Sequence, residues 1–428
     1  MTRLPVPKRT IAAAAGNRRR RLLFLAPHVP GPEAPTGGAR STFQLIAGLA
    51  ERHDIAVLCL RSPSEPPTDA ALRRACAVVQ EIARDAHTGG HGTWRYRLQI
   101  RILPLFTTPA WVLSTDIPSY RQQLRSLVRS WEPDIVQIEY HVMAQYIGEL
   151  HSCYAPRVMT QYEPGVTAAG DVARGMHGLD RILGRMEAAA WARYEQNAMS
   201  HVDAVVVFTE YDRQALAPLA GAVPIERIPL GVAVPPKSLN PCGGLTPTVL
   251  FVGNFGHGPN VDAALWLMRS IFPLVSRTRP DARLIVVGPD PPHEITALSG
   301  GTMMVTGAVP SVLPFLDDAN VVVAPLRRGG GMRVKVMEAL AAGKAVVASP
   351  LAAAGLDVRH GQELLLAERD HEFASLIVNL LNDPTERRRV AESARSWAVA
   401  NLDWRGPVAA YEALHDRLLA GGNRRRVP

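Results

Sequence analysis

The stretch Gly329–Ser349, GGGMRVKVMEALAAGKAVVAS, constrains this chain more than any other part of it. Gly329, Gly330 and Gly331 free the backbone for positive φ and leave no side chain to hold a ligand away. Met332 and Arg333 lead into a run of strong helix formers that carries Lys335 and Glu338. A glycine turn feeding a helix N-terminus aims unsatisfied N–H groups and a positive dipole end at one point, which suits a diphosphate. Arg333 and Lys335 add cations beside it, and Glu338, one turn on, suits sugar hydroxyls better than phosphate. The same letters also describe an ordinary surface helix with an i,i+3 Lys335/Glu338 contact. The remainder of the stretch favours the ligand reading. Val334, Met337, Leu340 and Ala341 form an apolar stripe, Gly343 closes the helix, and Ala345–Ala348 reads as a short buried strand.

At 428 residues the chain suits two α/β domains better than one core. No run reaches the roughly 18 to 20 apolar residues of a membrane-spanning helix, and the N-terminal IAAAAG is too short and mild for a secretory signal. Cys59, Cys76, Cys153 and Cys242 lie apart without C-x-x-C spacing, so neither a zinc site nor a disulfide framework is indicated, and a cytoplasmic location is expected. The net charge of +8 is smaller than the ten cations held at the two ends: Arg3, Lys8, Arg9, Arg18 to Arg21, and Arg424 to Arg426. The body between them is therefore slightly acidic. Solvated basic tails are the expectation, with loose attachment to an anionic membrane surface as their functional reading. Nucleic-acid binding is disfavoured, because no aromatic-plus-basic pattern accompanies them.

Along the chain, RLLFLA (21–26) reads as a buried strand entering a Pro/Gly-rich loop that holds Gly37, Gly38 and Arg40, and a helix and the strand 55–60 come next. That order suits an open parallel sheet with ligands at the strands' C-terminal ends. GTWRYRLQIRILPLF (92–106) mixes aromatics with arginines, as a headgroup-zone segment or a plain amphipathic one would. The strands 134–139 and 157–161 end in Glu139, Tyr140, His141 and in Tyr162, Glu163, so both bring acids to one rim. A helical region over 178–200, a strand over 204–208 and IPLGV (228–232) complete the first half. Residues 233–247, rich in Pro and Gly, read as an interdomain linker. The second half restarts at Val249–Gly253 and alternates strands and helices to the glycine-loop helix. The expected domains are a basic tail (1–20), a Rossmann-like acceptor domain (21–232), the linker, a donor domain (248–403), a crossing helix (404–421) and a basic tail (422–428).

The series FVGN (251–254) with PNVD (259–262), ARLIVVG (282–288), VTGAV (305–309), VVAPL (322–326), the glycine-loop helix and Gly355-Leu356 resembles the donor domain of retaining GT-B glycosyltransferases, family 4. TGGAR, PDIVQIEY, WARYE, FTEYDRQAL and IPLGV extend the resemblance more softly into the first half. It implies an α/β fold of two Rossmann-like domains facing across a cleft, with a C-terminal helix crossing back. It also implies transfer of a sugar from a nucleotide-diphosphate donor to a saccharide or lipid-linked saccharide, with retention and without a metal or other cofactor. Exopolysaccharide or cell-envelope glycan synthesis at the inner face of the membrane is the expected setting. Glu338, as second glutamate of an E-x7-E motif, would hold the ribose hydroxyls. Arg333, Lys335 and glycines 329–331 with Met332 would hold the diphosphate. Gly253, Asn254 and Gly307 would line the donor pocket, and Gly37 and Gly38 would approach the phosphates from the other domain. Glu139 and His141 are catalytic candidates, Arg40 and Glu163 acceptor-side ones.

The chain also departs from the family pattern. The first motif glutamate falls on Gly330, the usual Arg/Lys pair after the first donor-domain strand is replaced by Phe255, His257 and Asn260, and the usual first-domain histidine falls on Glu139. A nucleotide-sugar epimerase or a non-catalytic binding relative on the same fold are the alternatives. A Rossmann dehydrogenase lacks its G-x-G-x-x-G here, and Gly343-Lys344 lacks the spacing and hydroxyl of a P-loop.

Overall fold

The computed structural model describes residues 19–63, 65–84, 108–174, 177–329 and 333–422. The segment 92–106, the glycines 330 and 331 with Met332, and most of both basic ends lie outside them. The chain divides into two compact units: Met1–Ala34, Gly38–Pro229 and Val408–Pro428 in the first, Pro35–Gly37 and Leu230–Pro407 in the second.

The first unit is built on seven parallel strands in the order β3-β2-β1-β4-β5-β6-β7. They are β1 (Arg21–Ala26), β2 (Asp54–Arg61), β3 (Val78–Ala83), β4 (Ile135–Glu139), β5 (Arg157–Gln161), β6 (Ala204–Val207) and β7 (Ile225–Arg227). The central ones are near-continuous apolar runs because helices cover both faces, as a parallel sheet requires. Strand order reverses between β1 and β4, which pair in register from Leu22↔Ile135 to Leu25↔Ile138. The loops leaving that point form the crevice where open sheets hold ligands.

The second unit repeats the plan with six parallel strands, β10-β9-β8-β11-β12-β13. They are β8 (Thr248–Val252), β9 (Arg283–Val287), β10 (Met303–Gly307), β11 (Val321–Ala324), β12 (Val346–Ala348) and β13 (Leu365–Leu366). Its order reverses between β8 and β11. The loops after those two strands are the ones carrying Gly253-Asn254 and Gly329.

One expectation is corrected. Arg19 and Arg20 are not solvated tail: Arg19 pairs with Asp54 at 2.8 Å and donates to the Ala50 and His53 carbonyls closing a helix, while Arg20 pairs with Asp416. A guanidinium is a good match for orphan C-terminal carbonyls. IPLGV follows β7, the last strand of the first sheet, and its Val232 N–H donates to the Leu402 carbonyl at 3.0 Å. The helical region expected over 178–200 is the helix Gly178–Met199, and a further helix, Gly165–Arg174, precedes it.

The Pro/Gly-rich stretch read as a linker is in part held down. The Leu239 N–H donates to Ala342 O, Asn240 N–H to Asp317 Oδ1, and Gly244 N–H to Asp318 O. Asn320 Nδ2 donates to the carbonyls of Cys242 and Gly244, and the buried Lys344 ammonium to those of Asn240 and Asp317. Gly243 sits at φ +71°, where a Cβ would lie 2.4 Å from the Ala319 oxygen. Glycine is the residue that position admits.

Candidate functional site

In the second unit the helix Val334–Ala341 starts directly after Arg333, which caps it. Met337, Leu340 and Ala341 are fully buried, so packing fixes the helix and the direction of its N-terminal turn. Gly329 takes φ +104°, and a Cβ there would approach Pro259 to 3.0 Å. The Arg333 guanidinium is buried and donates back to the Gly329 carbonyl, closing the loop on the helix start.

Lys335 lies one residue into the helix. Its ammonium donates to Asn260 Oδ1 and stands 5.0 Å from the centroid of the Phe251 ring. Asn260 in turn donates through Nδ2 to the Asn254 carbonyl at 2.7 Å, and Asn254 Oδ1 accepts from the Gly256 N–H. The loop after β8 is thereby shaped to receive the lysine. Burial lowers the Lys335 pKa to about 7, the Arg333 charge adds to the shift, and Glu338 opposes it. A cation held this way gains from any anion that arrives. Lys335 and Glu338 line one recess with Val252, Val312, Leu316 and Val336. Thus Arg333, Lys335, Glu338, Gly253, Asn254 and Gly329 gather at the β8/β11 switch point. Gly307 ends β10, on the far side of β9.

Two cations escaped the sequence reading. Arg327 and Arg328 both pair with Asp262, at 2.8 and 3.2 Å, and Arg327 also lies 4.9 Å from the Trp266 ring centroid. They neighbour the glycine loop in sequence, but only the fold shows that the loop's exposed arginines are tethered to PNVD. Asn260 and Phe251, the direct partners of Lys335, were visible only as members of the resemblance.

Gly37 and Gly38 open the helix Gly37–Ala50, which belongs to the first unit from Gly38 on. A Cβ on Gly38 would fall 1.6 Å from the Tyr140 hydroxyl, so the glycine admits that ring. Tyr140 follows β4 at φ +66°, a conformation costly for a non-glycine residue. It stacks on Tyr162 with centroids 4.0 Å apart, and His28 and Trp111 meet it edge-on.

Glu139 and His141 flank this tyrosine and point inward. Glu139 is fully buried and accepts from Tyr162 at 2.9 Å, Gln137 at 3.1 Å and Thr160 at 3.3 Å. Burial pushes its carboxyl up to about 7 against those donors. His141 is 1% exposed, with Trp111 and Trp191 edge-on to its ring. Burial lowers it to about 4, so it is neutral at pH 7. Glu163 and Arg40 are partly exposed, and Arg40 donates to the Ala34 carbonyl at 2.9 Å.

Sequence reasoning missed Glu195. It is fully buried and accepts from Gln161 Nε2 and from the N–H groups of Gly165 and Val166, capping the helix Gly165–Arg174. Burial raises its pKa to about 6. Among the described residues no three His, Cys, Asp or Glu side chains are grouped to hold a metal ion.

Residues 246–383 match the family model described as glycosyl transferases group 1, and residues 35–234 the model described as glycosyltransferase family 4. An uncharacterized 44.6 kDa protein in the cps region of Klebsiella pneumoniae is 25% identical over 164 residues, 36% of this chain and 42% of that protein. The uncharacterized glycosyltransferase MJ1069 of Methanocaldococcus jannaschii is 30% identical over 94 residues, 22% of this chain and 24% of that one. The match thus spans less than half of either curated relative. Sucrose-phosphate synthase from Thermosynechococcus elongatus superposes over 94% of this chain and 100% of its own, with TM-score 0.68 and 18% identity. Anabaena HepE in complex with UDP and glucose covers 93% and 100%, with TM-score 0.64 and 12% identity. At such identities the likeness is one of fold.

Proposed function

Since the chain belongs to the GT-B glycosyltransferases related to family 4, we propose that it transfers a sugar from a nucleoside diphosphate to a saccharide or lipid-linked saccharide, retaining anomeric configuration. The observation that carries this reading is the convergence of Arg333, Lys335 and Glu338 on one helix start, beside the loop after β8.

The chemistry follows from charge. Breaking the bond between the anomeric carbon and the diphosphate oxygen leaves negative charge on the nucleotide and positive charge on the sugar. Arg333, Lys335 and the first amides of the helix are preorganised for the former, the largest available lever on such a barrier. The acceptor oxygen attacks from the leaving-group face and passes its proton to the departing phosphate oxygen. The products are the glycosylated acceptor and a nucleoside diphosphate. Glu338 holds the ribose hydroxyls, and Gly307 borders the base. This scheme needs no metal. Gly37 and Gly38 keep their assignment to the donor phosphates as part of the proposal. Of the side chains assigned to orient the sugar or acceptor, Glu139 and His141 act through the rim they hold, and the partly exposed Glu163 and Arg40 reach further. A place in exopolysaccharide or cell-envelope glycan assembly is proposed with it, supported by one relative's position in a cps region.

HepE was solved with UDP and with UDP-glucose, so uridine nucleotides are the first to try. Calorimetric titration with UDP, GDP and ADP should show one preferred base, and Glu338→Ala should weaken that nucleotide at least about tenfold. Lys335→Ala should lower kcat by roughly 10²-fold. Unchanged turnover in Lys335→Ala would sink the proposal.

A further inference from the structure

Outside both switch points, the helices Gly165–Arg174 and Gly178–Met199 pack against each other. Large apolar side chains on them face solvent: Val172 is 52% exposed, Leu179 78% and Ile182 55%. Among the described residues no other stretch of that length holds more than two exposed large apolar side chains, whereas these three fall within eleven residues of sequence. Leu179 and Ile182 are i,i+3 neighbours and share a helix face. Arg181, Arg185 and Arg193, all exposed, fall on the i,i+4 ridge beside it, with exposed Ala189 between the last two. None of the three arginines is paired with a carboxylate among the described residues. Asp180 is the one exposed acid on this helix, for Glu195 is buried and Glu187 turns to accept from the Ala110 N–H.

Exposed apolar side chains at one end of a helix, with arginines lacking carboxylate partners along the adjoining ridge, are complementary to one kind of surface, an anionic bilayer, where apolar groups enter between headgroups and guanidinium groups meet phosphates. A protein partner of matching shape would leave three cations to be neutralised one by one, while a phospholipid surface does so wherever the helix lands. We propose that the exposed side chains of Val172, Leu179 and Ile182 on these two helices form a membrane-contacting surface that inserts into an anionic phospholipid interface. It does not span the membrane: no described helix is long and apolar enough to cross one. The proposal stands apart from the transfer chemistry, since lipid binding is read without nucleotide or acceptor.

The test is sedimentation of the full chain with phosphatidylcholine vesicles, with and without phosphatidylglycerol. Wild type should bind the phosphatidylglycerol vesicles, less so as salt rises. Leu179→Asp/Ile182→Asp should weaken partitioning at least about tenfold, with an unchanged circular dichroism spectrum and unchanged nucleotide binding. Arg181→Ala/Arg185→Ala/Arg193→Ala should weaken it by up to roughly fivefold per cation and remove the preference for the anionic lipid. The separate variant Lys8→Ala/Arg9→Ala/Arg424→Ala/Arg425→Ala/Arg426→Ala should retain most of the binding. If that end variant loses all binding while both helix variants bind like wild type, the ends carry the contact and the proposal is wrong. It is equally overturned if wild type ignores phosphatidylglycerol vesicles. A concentration-dependent dimer that Leu179→Asp/Ile182→Asp dissociates, without vesicle binding, would assign the patch to a second copy of the chain instead.

Discussion

A lysine lowered to about 7 is an unusual thing to keep beside an arginine, and it makes nucleotide binding readable as proton uptake. At pH 8 most of the Lys335 population is neutral in the unliganded protein. A diphosphate placed against it restores the charged form, so binding should take up close to one proton. Calorimetry in two buffers of different ionisation enthalpy measures that number directly. Lys335→Met should abolish the uptake, and equal enthalpies in both buffers for wild type would mean that no anion reaches the lysine. Glu139 is the mirror case. Its carboxyl is raised to about 7 in the fold, above its unfolded value, so the folded state holds the proton more tightly. The stabilisation is complete below about pH 4.5 and is lost as pH rises through 7, a span of roughly 3 kcal/mol. Glu139→Gln should therefore flatten the fall in melting temperature between pH 5 and pH 8. Parallel curves for variant and wild type would show that the carboxyl titrates normally.

At the scale of elements, the legible parts were those whose signal is local. β1, β2 and β9 are mostly apolar runs, and a chain that buries strands on both faces writes them in consecutive letters. The helix Val334–Ala341 and β12 were legible for the same reason, and with the helix the places of Arg333, Lys335 and Glu338 at and after its start, whose roles belong to the proposal. β3 was not: VVQEIA is an edge strand, half-buried along most of its length, and its Gln and Glu break the apolar pattern. Nor could the tethering of residues 239–244 be read, because its partners Asp317, Asn320 and Ala342 lie 77 to 103 residues away. Composition marked the stretch as flexible; tertiary hydrogen bonds override it. The inward turn of Glu139 was also hidden, since its donors come from β4, β5 and the loop beyond β5. The tethered stretch makes a prediction at its own scale. Gly243→Ala places a Cβ 2.4 Å from the Ala319 oxygen at positive φ, and it should cost roughly 2 kcal/mol or more in urea unfolding. Substitution of Lys237, exposed and outside that network, should stay within about 0.5 kcal/mol. Equal effects of the two would mean that the stretch behaves as the linker its composition suggests.

For the whole molecule, the decisive fact is that the first unit is not continuous in sequence. Its sheet is complete by residue 227, yet Val408–Gly422 from the chain's far end belong to it. The fit is specific. Tyr411 is 2% exposed and its hydroxyl bonds Thr160 Oγ1 at 3.0 Å, inside the Glu139 network. His415 is fully buried and meets Gln137 at 3.3 Å, and Glu412 takes Arg52 and His53. The last helix thus completes the buried polar cluster under β4 and β5, and a partly satisfied cluster of that kind is worse than none. Tyr411→Ala should cost about 3 to 5 kcal/mol, combining a cavity with orphaned polar groups. The loss belongs to the first unit alone, because every group it strands lies there. Scanning calorimetry should accordingly show an early transition, while the nucleotide's Kd at 20 °C, where the variant is still folded, stays within about twofold of wild type. A Kd that rises with the loss of stability would mean that nucleotide binding depends on the first unit's packing as well as on Arg333, Lys335 and Glu338.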